Sequence, residues 1–212
     1  MGQHKSQDAE ITLKQSRIHE EWVRNYRTPE NERFYRMAFA MILRSFNAPP
    51  GALIVDAGCG NCSKTKILVD LGYRVLATDL SESALEMARK DLRGTAYEER
   101  VELQQQNLTA MTLPDESVDY LICWGVLMHI PEVDKAIAEL SRVIKPGGYI
   151  AISEANMHSL QSWAIRSLKK ILGRERAEVS RVPAGIENWE ETEEGLLIRS
   201  FRDSRSYVDF ST

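Results

Sequence analysis

Short apolar segments alternate with helical segments between residues 52 and 153, and this alternation limits the fold more than any other feature. The apolar segments are residues 53–55, 74–78, 101–103, 118–123 and 149–153. They contain few polar positions, which is typical of parallel strands whose two faces are both covered by crossover helices. The pattern therefore predicts an α/β fold, a doubly wound and mostly parallel sheet with helices on both faces.

Residues 1–48 are predicted to form an N-terminal helical cap. Apolar positions recur at helical spacing over residues 9–26, and a second helix should begin after Thr28 and Pro29 and run to about Arg44. The side chains expected to face inward are Phe34, Met37, Ala38 and Met41.

Within the alternating region, two further boundaries follow from residue type. Ser81 is a suitable N-cap for a helix over residues 82–92. Gly147 and Gly148 should end the last crossover helix before a fifth strand at residues 149–153.

Residues 156–212 are predicted to add a helical insertion and shortened C-terminal strands to the same domain. A helix is expected over residues 160–172, in a stretch where residues 161–181 hold six Lys or Arg against two Glu. Residues 196–201 and 205–210 could pair as a terminal hairpin.

Composition excludes several classes of function. The net charge of −4 gives no general basic surface for nucleic acid, and the longest apolar run, residues 121–128, is too short to span a membrane. Three cysteines do not make a disulfide framework, so a cytoplasmic protein is expected. Residues 1–6 fit the short myristoylation pattern, although a solvated tail is the simpler interpretation.

A glycine-rich loop follows the first strand, with the sequence VDAGCGNC at residues 55–62. Gly58 and Gly60 allow the backbone to approach a ligand closely. Asp79 ends the second strand 19 residues beyond Gly60, where a carboxylate can accept both hydroxyls of a ribose. Ligands of open α/β sheets bind at this carboxyl edge, so the loop predicts a nucleoside site.

Three ligand classes compete for this loop. A dinucleotide site such as that for NAD prefers a third glycine where this chain has Ser63, and Asp56 would face the pyrophosphate unfavourably. An acid there suits S-adenosylmethionine, which carries positive charge and no phosphate. Cys59 and Cys62 could instead form a redox pair, but they lie inside the glycine turn, and no second such pair completes a zinc site. The sequence therefore predicts no metal and a packing role for both cysteines.

Five segments in the expected order resemble class I S-adenosylmethionine-dependent methyltransferases. They are VDAGCG at 55–60, DLS at 79–81, NL at 107–108 with LPDESVD at 113–119, WGVLMHI at 124–130 and LSRVIKPGG at 140–148. The resemblance covers roughly residues 48–155 and departs from the family at the C-terminus and at Asn107, where Asp is frequent.

The resemblance implies a Rossmann-like core over residues 49–155, S-adenosylmethionine as cofactor and S-adenosylhomocysteine as product. The cofactor-binding positions it implies are Asp56, Ala57, Gly58, Cys59, Gly60, Asp79, Leu80, Asn107, Leu108, Trp124 and Gly125.

His129 follows the fourth strand and Glu154 the fifth, at the edge where the methyl group should emerge. A histidine near its ordinary pKa can act as general base, and a carboxylate can orient it. Related small-molecule O-methyltransferases often use such a pair, so the resemblance implies that these two residues are catalytic.

The expected function is methyl transfer to a small-molecule acceptor, on a hydroxyl oxygen, without nucleic acid or an integral membrane segment. The alternatives are a catalytically inactive cofactor-binding scaffold or regulator, an NAD-binding protein, and a redox protein using Cys59 and Cys62. The sequence does not fix the identity of the acceptor or the oligomeric state.

Overall fold

The structure, a computed structural model, describes residues 28–154, 186–192 and 195–201. The helices expected at 9–26 and 160–172 lie outside the described residues, as does the strand expected at 205–210.

The described chain alternates between strands and helices. The helices are α1 (Pro29–Ser45), α2 (Thr65–Asp70), α3 (Glu82–Leu92) and α4 (Val133–Val143), with a single 3₁₀ turn at Leu127–His129. The strands are β1 (Leu53–Ala57), β2 (Arg74–Asp79), β3 (Val101–Gln105), β4 (Val118–Trp124), β5 (Ile144–Ser153), β6 (Ile186–Thr192) and β7 (Gly195–Phe201).

Five of the strands form one parallel sheet in the order β3-β2-β1-β4-β5. Val55, in the central strand β1, pairs with Leu76 on one side and Leu121 on the other. The chain builds outward from β1 to β3 and then returns to place β4 on the other side of β1. This reversal creates a topological switch point between β1 and β4, where ligands of such sheets bind. The predicted α/β fold is confirmed.

Two apolar clusters cover the two faces of the sheet. Ile54 lies in the cluster formed with α1, α2 and α3, whereas the adjacent Val55 lies in the cluster formed with α4. Both side chains are at most 2% exposed. This alternation of successive residues is the strand period, and it leaves only the strand ends available for a site.

The inward face of α1 differs from the predicted one. Thr28 caps the helix as expected, its hydroxyl accepting from the backbone N–H of Asn31 at 3.2 Å. However, Phe39 and Leu43 are buried, whereas three of the residues predicted to face inward are among the exposed apolar side chains: Phe34, Met37 and Met41. Since α1 carries two apolar stripes, periodicity alone could not choose between them. The buried stripe packs Phe39 against Trp124, with ring centroids 5.2 Å apart.

The fifth strand begins earlier than predicted. Residues 147 and 148 do not separate α4 from β5, because β5 starts at Ile144, directly after the helix. Val118 pairs with Ile144 and Tyr120 pairs with Tyr149, so the segment between them is a bulge that holds the extra residues.

A second hairpin was not predicted. β7 pairs antiparallel with β6, and Thr192 is opposite Gly195. Residues 196–201 therefore have a strand partner that precedes them in the chain, at residues for which no strand was predicted.

Candidate active site

The loops after β1 and β4 meet at the switch point. Gly58 has a φ of +83°, and its backbone N–H donates to the carbonyl of Thr78 at 2.8 Å. A Cβ atom at Gly58 would lie 2.4 Å and 2.6 Å from the two methyl carbons of Val126. Only glycine allows the two loops to approach this closely, so the contact between the loops after β1 and β4 depends on Gly58.

Gly60 and Asp79, both predicted to lie at the carboxyl edge of the sheet, are in direct contact. The N–H of Gly60 donates to Oδ2 of Asp79 at 2.8 Å, and that of Ser81 donates to Oδ1 at 2.9 Å. Asp79 is half-buried, and a carboxylate oxygen has room for more than one hydrogen bond. No atom comes within 4 Å of a Cβ built on Gly60, so open space lies above the loop. A nucleoside with a ribose beside Asp79 fits this arrangement.

Asp56 lies deeper than its predicted ligand contact implies. Its carboxylate is 4% exposed and accepts from the Thr65 hydroxyl at 2.6 Å. Burial raises its pKa, while the hydrogen bond from Thr65 and the charge of Lys64 lower it. In this structure Asp56 ties the glycine loop to α2. The role of Thr65 was not predicted, because nothing in the local sequence shows which side chain Asp56 will contact.

Cys59 and Cys62 are both buried, and the Cys59 thiol donates to the carbonyl of Gly60 at 3.5 Å. The neighbouring Cys62 thiol is the main cause that raises the pKa of Cys59, followed by burial. A buried thiol with a raised pKa is a poor nucleophile, which favours the predicted packing role of Cys59. Cys123 is buried too, and desolvation raises its pKa.

Asn107 and Leu108, for which the resemblance implies contacts with the adenine, follow β3. Leu108 is buried in the core. The side-chain oxygen of Asn107 accepts from both the N–H and the hydroxyl of Thr109, each at 2.9 Å. This local turn uses the oxygen and leaves the amide group of Asn107 as a donor. Leu80, next to Asp79, is half-buried.

Trp124 ends β4 within an aromatic group. Its ring packs edge-on against Phe39, Tyr35 and Phe34, with centroid separations of 5.2, 6.0 and 6.3 Å. Gly125 then turns the chain with a φ of +68°, and its N–H donates to the carbonyl of Ser153 at 2.7 Å. The aromatic group therefore forms a wall beside the β4 end of the site.

Glu154 holds the turn that carries His129. One carboxylate oxygen accepts from the N–H groups of Val126 at 2.9 Å and Leu127 at 2.7 Å. The other oxygen accepts from Met128 at 3.3 Å. Burial raises the pKa of Glu154, and the three backbone bonds oppose that rise. These contacts make Glu154 a positioning residue for the turn at residues 126–128, which contacts Gly58 and leads into His129.

His129 is the last residue of the 3₁₀ turn and is half-buried. Desolvation and the nearby charge of Lys64 lower its pKa to about 4. The imidazole is therefore neutral at pH 7, which is the form that accepts a proton. The structure brings His129 and Glu154 to the same end of the sheet through the backbone of this turn.

Lys64 lies near these residues and was not predicted from the sequence. It stands at the N-cap of α2, where a cation is electrostatically unfavourable, and that misplacement is the signal that could have drawn attention to it. Its ammonium lies 5.6 Å from the ring centroid of Tyr35, and its charge is close enough to affect both Asp56 and His129.

Glu154→Gln should loosen the turn at residues 126–128, because an amide replaces one acceptor oxygen with a donor that faces a backbone N–H. We expect a loss of ~1–3 kcal/mol in the free energy of unfolding and faster amide hydrogen exchange at those three residues. Glu86→Gln, an exposed position on α3, is the matched control. Unchanged exchange at residues 126–128 would contradict the positioning role.

Residues 55–152 match the family described as Methyltransferase domain. Curated relatives include a demethylmenaquinone methyltransferase from Desulfitobacterium hafniense, 30% identical over 112 residues. A ubiquinone biosynthesis O-methyltransferase from Thiobacillus denitrificans is 31% identical over 109 residues. Each alignment covers 51% of this chain but only 44% and 47% of the two relatives.

Solved structures share the fold. A protein from Methanococcus maripaludis, assigned to the S-adenosyl-L-methionine-dependent methyltransferases, superposes with a TM-score of 0.57 at 19% identity, covering 89% of this chain and 92% of that one. A protein described as a [4+2]-cyclase superposes with a TM-score of 0.52 at 22% identity, covering 58% and 44%. Within the residues that the structure describes, no helix is both long and apolar enough to cross a membrane.

Proposed function

Residues 55–152 belong to the class I S-adenosylmethionine-dependent methyltransferase family, and we propose that the chain transfers a methyl group to a hydroxyl oxygen of a small-molecule acceptor. The observation that carries this proposal is the switch point between β1 and β4. There the glycine loop, in which the N–H of Gly60 donates to Asp79, meets the turn that presents His129 through the approach of Gly58 to Val126.

The cofactor fits the residues at this edge. Asp79 would hold the ribose, the loop at Gly58 and Gly60 would face the methionine part, and Leu80 and Leu108 would flank the adenine. When bound, S-adenosylmethionine supplies a methyl group that is already activated for in-line displacement. The protein then has to align an acceptor and remove its proton.

His129 is suited to the proton transfer. Its neutral imidazole can accept the hydroxyl proton as the oxygen attacks. Glu154 fixes the position of His129 by accepting the three backbone N–H groups that precede it. Two relatives are named for demethylmenaquinone and for ubiquinone biosynthesis, which supports an acceptor of the quinone type.

A cofactor-binding protein without methyl transfer is the second candidate. The solved structure of a protein described as a [4+2]-cyclase has the same fold, so the fold by itself does not determine the chemistry. Calorimetry with S-adenosylhomocysteine and with NAD tests the cofactor, and mass spectrometry of a hydroxylated acceptor panel tests transfer. Binding of S-adenosylhomocysteine without any methylated product would favour the second candidate, and binding of NAD alone would overturn both.

Asp79→Ala should weaken the binding of S-adenosylhomocysteine by ~1.5–3 kcal/mol, which is the range for charge-assisted hydrogen bonds. The alanine also removes the acceptor for Gly60 and Ser81, so the loop itself loses support. Asp79→Asn keeps the size and one acceptor oxygen, and it should fall between wild type and Asp79→Ala in calorimetry. An unchanged dissociation constant in Asp79→Ala would show that this carboxylate does not contact the ribose.

A further inference from the structure

We propose that Lys64 and the aromatic wall of Tyr35 and Trp124 form a subsite for an anionic acceptor, one with a carboxylate on an aromatic body. This inference rests on the proposed function and specifies the class of its substrate. The ammonium of Lys64 is not among the groups proposed above to contact the cofactor.

The ammonium of Lys64 has no carboxylate partner within ion-pair distance among residues 28–154. Other cations of the described chain do have one: Arg36 pairs with Asp70, Lys135 with Glu132 and Lys145 with Asp119. Lys64 lies instead over the Tyr35 ring, at 5.6 Å from its centroid. Asp56, whose pKa is lowered by the charge of Lys64, is buried and accepts a hydrogen bond from Thr65. An ordered cation of this kind is available to an anionic ligand.

The position of Lys64 favours the acceptor over the cofactor as the source of the anion. Tyr35 packs edge-on against Trp124 at 6.0 Å, so the cation belongs to the β4 end of the site. Asp79, which would take the ribose, lies at the end of β2 on the other side of β1. His129 ends the 3₁₀ turn that follows β4, and the charge of Lys64 lowers its pKa, so the proposed base and the cation lie at the same end of the sheet. An acceptor whose hydroxyl reaches His129 can therefore direct an anionic group to Lys64.

The aromatic wall adds a second requirement for the acceptor, a flat aromatic body. Tyr35 and Trp124 are half-buried, so part of each residue remains accessible to solvent or to a ligand. A flat aromatic body can pack on this wall while its carboxylate meets the ammonium. An aliphatic acid would satisfy the cation but would gain less from the rings.

Calorimetry on the protein saturated with S-adenosylhomocysteine tests the subsite with 4-hydroxybenzoate and its neutral methyl ester as probes. Wild type should bind the acid about 10- to 100-fold more tightly than the ester, the range expected for one charge-assisted contact. Lys64→Met should reduce this preference to within a few-fold, and Lys64→Arg should retain most of it. Lys90→Met, an exposed lysine on α3, is the control and should behave as wild type.

The same variants separate this inference from the proposed function. Failure of wild type to bind S-adenosylhomocysteine would defeat the proposed function itself, and the probes would then be titrated alone. Equal binding of acid and ester, no binding of either, or a preference that survives in Lys64→Met would overturn the subsite. Weaker binding of S-adenosylhomocysteine to Lys64→Met, with 5′-methylthioadenosine unaffected, would assign Lys64 to the cofactor carboxylate and also overturn it.

Discussion

Gly58→Ala should lower the free energy of unfolding by ~2–5 kcal/mol, the sum of backbone strain and overpacking. The new Cβ would approach the methyl carbons of Val126 to 2.4 and 2.6 Å, and the residue would have to keep a φ of +83°. A domain has only ~5–15 kcal/mol of stability, so urea unfolding should show a large shift in the midpoint.

Gly60→Ala is the matched control for this effect. Its φ of +56° is also left-handed, but no atom lies within 4 Å of the added Cβ. It should therefore cost only the strain, ~1–2 kcal/mol. The double variant Gly58→Ala with Val126→Ala should recover part of the loss, because the methyl carbons that clash are removed. Equal destabilisation by the two glycine variants would show that the loops after β1 and β4 do not meet as closely as described.

The regular elements could be predicted because their signals are local. The five parallel strands lie where apolar runs were found, and α3 begins after Ser81, whose hydroxyl accepts from the N–H of Ala84 at 3.3 Å. The contact between Gly60 and Asp79 also follows from local facts, since each comes at the carboxyl end of a neighbouring parallel strand.

The errors arose where a choice depends on tertiary contacts. The rotation of α1 is set by the fit of Phe39 against Trp124, although Met37 and Met41 are equally apolar. The start of β5 depends on pairing of Ile144 with Val118, and pairing can absorb the glycines in a bulge. Both contacts join residues that are far apart in the chain, so neither can be predicted from the neighbouring sequence.

The site was predictable as a set of positions, but the partners of its side chains were not. Glu154 was expected to orient the His129 ring, whereas the contacts found are with the backbone of the preceding residues. Asp56 was expected to face a ligand, and its bond is to Thr65. Each outcome depends on how a loop folds back, which residue spacing alone does not encode. The predicted cofactor contacts and the catalytic roles of His129 and Glu154 remain predictions.

His129→Ala should lower turnover by ~10²–10⁴, the usual contribution of general-base catalysis. Cofactor affinity should change little, because His129 lies at the β4 end of the site, away from Asp79. Single-turnover rates with an acceptor from the panel would measure the effect, and His129→Asn would separate loss of the base from loss of a polar side chain. Nearly full turnover in both variants would place proton removal elsewhere, and loss of S-adenosylhomocysteine binding would indicate a structural role.

The pH dependence supplies a sharper criterion, because the pKa of His129 is lowered to about 4. The neutral imidazole is the active form, so kcat/KM should fall as pH decreases through about 4 and should be level across pH 6.5, where an ordinary histidine titrates. Between pH 6.5 and 4 the unfolded chain binds the proton first, so stability also decreases there, and rates are best taken after a brief pH jump. Lys64→Met removes a repelling charge and should raise the pKa of His129 in an NMR titration, with Lys90→Met as the control. A rate transition centred near pH 6.5 in wild type would contradict a desolvated His129 as the base.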